Sequence, residues 1–207
     1  MRPRSTGRRL RACAPAAALA LAGLVGAGSG APAGRLATPE EAYAARGLPR
    51  LVFDAREARI DPAEARFLEA LFALTDTAVV ENANLLRWFA SDGRAGLHFL
   101  DARERLAAIR ARIAALEPPA RLGPVRALVL AALDHQRSFF ADHYDAVQAG
   151  RPFESQLTDE FAWHDAPQRA REALLRAYAE LRGLYPEADA ATRGALNAHL
   201  RALDLGP

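Results

Sequence analysis

"DPAEARFLEALFALTDTAVVENANLLRWFA" runs from Asp61 to Ala90 and contains no glycine and only one proline, at its second position. Asp61 suits the N-cap of a helix, Pro62 suits its first turn, and Glu64 completes a capping-box pattern. Spacings of three and four residues place one set of side chains on a single face: Leu68, Leu71, Phe72, Thr75, Val79, Asn82, Leu86 and Phe89. The stretch therefore predicts an amphipathic helix of about thirty residues.

The residues that follow predict a second helix with a regular apolar seam. Its members are separated alternately by three and four positions, which keeps them on the contact face of a left-handed bundle. They are Phe99, Ala102, Leu106, Ile109, Ile113 and Leu116. Pro118 and Pro119 then end the helix, because proline removes a backbone donor and clashes with the preceding turn.

Three more helices are predicted toward the C terminus. One extends from Gly123 to Gly150, the next has Asp165 as its cap, and a shorter one follows. The residues buried by this last helix are Leu196, Leu200 and Leu203. Because no run has strand periodicity and short connections favour antiparallel neighbours, we predict an all-α fold. Its expected form is an up-down-up-down four-helix bundle with an additional C-terminal helix.

A lead-in segment, residues 34–60, precedes the helical-bundle domain, which is assigned to residues 61–207. The lead-in contains a short predicted helix with Thr38 as N-cap, Pro39 at the first position and Gly47 as its stop. The rest of the segment is expected to be extended and to pack along the outside of the bundle. We therefore expect one domain behind the N-terminal region.

Residues 1–33 have the order of a cleavable secretion signal: five arginines, an apolar run and small residues ending at Ala33. The apolar run is shorter than the roughly 20 residues that span a bilayer, so no transmembrane anchor is expected after cleavage. Arg8 and Arg9 suggest the twin-arginine route, but the flanking residues favour the general secretory route. The predicted location is secreted or periplasmic.

Composition narrows the possible functions of the mature chain. The full chain has 27 basic and 25 acidic residues, but the part after Ala33 has 22 and 25, so it is mildly acidic. A nucleic-acid partner is therefore not expected. Every basic residue is arginine, and the one cysteine, Cys13, lies in the signal. The mature chain consequently has no lysine for a Schiff base and no thiol for a disulfide or a metal.

The absence of known cofactor motifs narrows the possible cofactors in the same way. Covalent haem requires a C-x-x-C-H motif, which is absent, and no histidine has a glutamate three residues before it, as di-iron bundles require. The cofactor is therefore unknown, and a divalent metal ion remains the class to consider. Motifs of zinc proteases, phosphate-binding loops and serine hydrolases are also missing from the sequence.

The stretch "DHQRSFFADHYD", Asp134 to Asp145, contains two Asp-His pairs within the third long helix. A step of eight residues rotates by about 80° on a helix, so the pairs do not share a face. Gln136 and His143 fall near the centre of the apolar face, whereas Asp134 and Asp145 are predicted to face solvent. His98, His135 and His199 are expected at the rim or the surface.

Comparing positions by height along the bundle predicts a structural polar core formed by Thr75, Asn82, Gln136 and His143. Thr75 is expected to contact Gln136, and Asn82 to contact His143, because buried polar groups require hydrogen-bond partners. For His143 a satisfied core contact is the simpler interpretation.

A ligand pocket at the upper end of the bundle is the alternative interpretation. The second helix brings His98 to that end, and the connector before Asp165 brings Glu160 and His164, so these residues and His143 could hold a metal ion or a small ligand. Two functions remain. The first is a non-enzymatic protein that binds a protein or small ligand in the bacterial envelope, and the second is a metal- or small-ligand-dependent protein, a class that includes enzymes.

Overall fold

The computed structural model describes residues 37–90, 96–150 and 165–205, which contain six α-helices, one 3-10 helix and no strand. The predicted all-α class is confirmed. The α-helices are α1 (Pro39–Ala44), α2 (Pro62–Ala90), α3 (Gly96–Ala115), α4 (Gly123–Gln148), α5 (Asp165–Leu184) and α6 (Ala190–Leu203), and the 3-10 helix Ala120–Leu122 precedes α4.

The short helix α1 begins and ends as its sequence predicts. The Thr38 hydroxyl accepts a hydrogen bond from the Glu41 backbone N–H at 3.2 Å, and the Glu41 carboxylate accepts one from the Thr38 N–H at 3.0 Å. This is a complete capping box. Gly47, which follows the helix, has φ +63°, a left-handed conformation that residues with a Cβ rarely adopt.

The long helix α2 is capped by Asp61, whose Oδ1 accepts hydrogen bonds from the backbone N–H groups of Ala63 at 2.8 Å and Glu64 at 3.2 Å. The predicted N-cap is therefore confirmed. The Glu64 side chain accepts a hydrogen bond at 2.8 Å from the hydroxyl of Tyr185, which lies just after α5. The side chain of Glu64, which the capping-box pattern assigns to its own helix, thus ties that helix to a distant part of the chain.

The helices pack in a definite order. Helix α2 packs against α1, α3 and α6, α4 packs against α3 and α5, and α5 also packs against α6. The last helix therefore contacts both α2 and α5, and its three predicted core leucines, Leu196, Leu200 and Leu203, are buried as expected. No helix within the described ranges is long and apolar enough to cross a membrane.

Two arginine-carboxylate contacts hold α3 to its neighbours. Arg105 donates to both carboxylate oxygens of Glu81 in α2, at 2.8 and 3.0 Å. Arg110 donates to both oxygens of Asp134 in α4, each at 2.9 Å. Asp134 is therefore not simply solvated as predicted, because an arginine on the facing helix binds it.

Candidate functional site

The four residues predicted to form the polar core are all buried, but their predicted contacts are wrong. The Thr75 hydroxyl donates to a backbone carbonyl one turn earlier in α2, at 3.0 Å. Asn82 Nδ2 donates to Gln136 Oε1 at 3.0 Å, in place of the expected contact with His143. Because Gln136 lies two turns before His143, the prediction misjudged the relative height of α2 and α4. Gln136 also donates to the backbone carbonyl of Leu203 in α6, so one amide joins three helices.

His143 is 2% exposed and lies among aromatic rings near the end of α4. Its ring centroid is 4.4 Å from that of Phe139 and 5.7 Å from that of Phe89. Trp88 and Tyr144 extend this aromatic layer, with their ring centroids 6.1 Å apart. The prediction that His143 occupies the buried face of its helix agrees with this position.

The remaining members of the predicted ligand pocket belong to parts of the chain whose side chains are not described. His98 lies in α3, but its side chain is outside the described part, and Glu160 and His164 fall in the range 151–164, also outside it. Their convergence on His143 stays a prediction. Where the structure is described, no three His, Cys, Asp or Glu side chains are grouped to hold a metal ion.

A buried polar cluster that sequence analysis did not identify joins α1, α2 and α6. We call Tyr43, Asp76, His199 and Arg50 the Asp76 cluster. The Tyr43 hydroxyl donates to Asp76 Oδ1 at 2.5 Å, and His199 Nδ1 lies 2.7 Å from the same oxygen and 3.0 Å from Tyr43 Oη. Arg50 donates to Asp76 Oδ2 through Nε at 3.3 Å and Nη2 at 3.1 Å. Three side chains therefore converge on one carboxylate.

Local sequence signals place these residues. The capping box fixes α1, so that Tyr43 in its last turn is fully buried. The Asp189 side chain accepts a hydrogen bond from the Thr192 N–H at 2.7 Å and begins α6, which carries His199 ten residues later. Asp76 lies near the middle of α2, where the helix geometry leaves its position little freedom. Three separate elements thus hold the cluster.

The surroundings of Asp76 and Tyr43 change their ionisation in opposite directions. Burial by itself would raise the pKa of Asp76, but hydrogen bonds from His199, Tyr43 and Arg50 outweigh it and hold that pKa below its ordinary value. Burial, followed by the hydrogen bond to Asp76, raises the pKa of the Tyr43 hydroxyl well above its ordinary value. At neutral pH the cluster contains an ionised carboxylate and a neutral phenol.

The histidine of the cluster is held in one orientation. Because a carboxylate only accepts hydrogen bonds, Nδ1 of His199 carries the proton that points to Asp76. The imidazole ring stacks on Phe72, with centroids 4.5 Å apart and planes 6° from parallel. Its Nε2 atom is buried and has no hydrogen-bond partner within the described ranges. A His-carboxylate pair of this kind can take part in proton transfer or metal binding.

The expectation that His199 lies at the rim or the surface is wrong, since its exposure is only 2%. A signal for its burial was present in the sequence. His199 is three residues after Leu196 and one before Leu200, so it shares the apolar face of α6. No comparable sequence signal brings Tyr43 or Asp76 to it, because they lie 156 and 123 residues away.

Comparison with known protein families, curated proteins and solved structures finds no match to this chain. The geometry described above is therefore the basis for interpreting the function.

Proposed function

We propose that this protein is exported and acts in the bacterial envelope by binding a protein or small ligand, without catalysis of its own. The observation that carries the proposal is the role of the buried carboxylates of α2. Glu64, Asp76 and Glu81 each accept hydrogen bonds from side chains of other elements. Their contacts hold elements together, which is the role expected of polar groups in a binding scaffold.

The experiment follows the full chain through export. After expression in a Gram-negative host, cell fractions are separated and the mature N terminus is determined by mass spectrometry. We expect periplasmic protein that begins at Gly34. Native mass spectrometry of the same material then reports a bound protein or ligand. Intact protein that keeps Met1 in the cytoplasm would contradict export, and turnover of a substrate would contradict the binding role.

The topology we propose is an up-down-up-down arrangement of α2, α3, α4 and α5. One end is supported by Glu64 at the start of α2, which contacts Tyr185 just after α5 and lies 3.7 Å from Arg121 just before α4. At the opposite end, Trp88 near the end of α2 contacts Phe99 near the start of α3, with ring centroids 5.0 Å apart. In this arrangement α6 fills the space between α2 and α5.

Spin labels test this topology, since the mature chain has no native cysteine. Labels on Arg66→Cys and Arg182→Cys, both exposed, should lie at the same end of the bundle. Labels on Arg66→Cys and Arg169→Cys should be farther apart by up to about 20 Å, the rise of thirteen helical residues. The reverse order of distances would overturn the antiparallel arrangement of α2 and α5.

A metal- or small-ligand-binding pocket at the upper end is the second candidate function. The observation that favours it is the burial of His143 at the end of α4, immediately before the segment that carries Glu160 and His164. Zinc should then raise the melting temperature of the mature protein, and His164→Ala should reduce that rise. An equal rise in both proteins would place the zinc elsewhere, and no rise would exclude a zinc pocket.

A further inference from the structure

We infer that Tyr43, Asp76 and His199 form a binding site for a divalent transition-metal ion such as Zn²⁺ or Cu²⁺. The inference does not depend on the proposed function, because it uses none of the residues of the predicted upper pocket. All three residues lie within the described part of the chain. Each supplies an atom that transition metals bind: a phenol oxygen, a carboxylate oxygen and an imidazole nitrogen. The site is distinct from the predicted pocket around His143.

The distances between the three donor atoms are compatible with one ion. Tyr43 Oη, Asp76 Oδ1 and His199 Nδ1 form a triangle with sides of 2.5, 2.7 and 3.0 Å. Donors that bind one tetrahedral zinc ion at about 2.0–2.2 Å are separated by about 3.3–3.6 Å. Each side of the triangle therefore needs to lengthen by up to about 1 Å, which side-chain rotations can supply.

The electrostatic balance also suits a divalent cation. Arg50 donates to Glu40 at 2.9 Å as well as to Asp76, so its positive charge is shared by two carboxylates. When the ion binds, the Tyr43 hydroxyl proton leaves to solvent, and the His199 proton moves from Nδ1 to Nε2 so that the ring stays neutral. Phenolate, the two carboxylates and the guanidinium then sum to two negative charges, which a divalent ion neutralises.

Neighbouring groups already hold the donors in place. Arg50 fixes the carboxylate of Asp76 through Oδ2 and leaves Oδ1 directed at the other two donors. The stack on Phe72 fixes the plane of the His199 ring. Such outer contacts orient ligands and typically change metal affinity by about 10–100-fold when removed.

Access to the site is controlled by Arg50. The Tyr43 side chain is fully buried and that of His199 is 3% exposed, whereas a third of the Arg50 side chain (32%) is exposed at the outer edge of the cluster. A rotation of this flexible side chain opens a path to Asp76 without unfolding a helix. The ion consequently enters from the side of the lead-in segment.

Copper is the most sensitive probe, because divalent copper binds nitrogen and oxygen ligands more tightly than zinc does. Purified mature protein is titrated with Cu²⁺ alone, and bound metal is counted after desalting. We expect one copper bound at this site, a phenolate-to-copper charge-transfer band in the visible spectrum, and protection from heat unfolding by Zn²⁺. Absence of the band would overturn the inference, since the band requires a coordinated tyrosine.

Matched variants locate the ion. Tyr43→Phe keeps the ring and removes the donor, so it should abolish the band and weaken copper binding by at least about 100-fold, more than an outer-shell loss. Tyr185→Phe is the control, because it removes another buried tyrosine-carboxylate contact that has no histidine. His199→Gln should also lose the band. Copper binding that survives in Tyr43→Phe and His199→Gln with an unchanged spectrum would overturn the inference and point to another histidine, such as His143.

Discussion

Asp76 and Asp134 are both carboxylates bound by arginine, but they stand in different environments. The Asp76 side chain is 12% exposed, and its oxygens accept hydrogen bonds from side chains of α1, α6 and the segment after α1. The Asp134 side chain is 43% exposed, and Arg110 provides its principal contact. Both pKa values are lowered, by donor groups in each case.

The difference teaches that an arginine contact alone says little about the importance of a carboxylate. Water around Asp134 can provide most of the stabilisation of the carboxylate that Arg110 provides. Exposed ion pairs are screened and contribute little to the stability of the fold. Water cannot replace the donors of Asp76 in the same way, because the group is buried between helices. Burial and the number of donors should therefore decide the effect of a mutation.

The largest expected effect is that of Asp76→Asn. The substitution removes the charge and leaves Tyr43, His199 and Arg50 with a poorer acceptor in a buried site. We expect the free energy of unfolding to fall by about 3 kcal/mol, as for breaking one side of a buried pair. Urea denaturation followed by circular dichroism measures it. A loss no larger than that of Asp134→Asn would remove the distinction between the two carboxylates.

An uncharged buried contact separates burial from charge. Gln136→Leu leaves the amide of Asn82 and the carbonyl of Leu203 without their partner, and should lower the free energy of unfolding by about 2 kcal/mol. Adding Asn82→Leu should lower it by less than the sum of the two single losses, because the amide left without its partner is gone. Strict additivity in a double-mutant cycle would show that the contact contributes nothing.

Two tyrosines test whether the number of donors matters. Tyr43→Phe removes one of three donors to Asp76, and Tyr185→Phe removes the hydroxyl that donates to Glu64. Each should lower the free energy of unfolding by about 1 kcal/mol, since a single hydrogen bond is lost and the ring remains. If the remaining donors to Asp76 partly replace the lost one, Tyr43→Phe should lower the free energy of unfolding by less than Tyr185→Phe does. The opposite order, measured by thermal unfolding, would argue for a strongly coupled cluster.

The smallest effect is expected for Asp134→Asn, less than about 1 kcal/mol. The hydrogen bonds from Arg110 lower the pKa of Asp134, so the pair stabilises the fold above the ordinary carboxyl pKa of about 3.9. That contribution should be lost as pH falls through the lowered value. The difference between wild type and variant should therefore be visible at pH 7 and shrink as the pH falls below the ordinary carboxyl pKa, and raising the salt concentration at pH 7 should also reduce it.

The sequence allowed the helices to be predicted because their signals are local. Asp61 and Thr38 act as caps, Pro118 and Pro119 follow a helix end, and the periodic leucines of α6 are buried as expected. The helix class depends on spacings of a few residues, which one chain displays directly.

The polar contacts could not be predicted in the same way, because they depend on the relative height of distant helices. The predicted height of α4 relative to α2 was wrong by two turns. His143 was therefore expected as the partner of Asn82, whereas the structure has Gln136 there. The Asp76 cluster was missed for a related reason. Its members come from α1, α2 and α6 and the segment after α1, and no local pattern reports that these elements meet. Only the burial of His199 was readable, from its place among leucines.

The long separation between Tyr43 and His199 also governs when the protein can fold. His199 is synthesised 156 residues after Tyr43, so the contacts among α1, α2 and α6 cannot form while the early helices leave the ribosome. The hydrogen bond from Arg46 to the backbone carbonyl of Leu205 likewise cannot form until Leu205 has been synthesised. Completion of the fold is thus delayed until synthesis reaches the last helix.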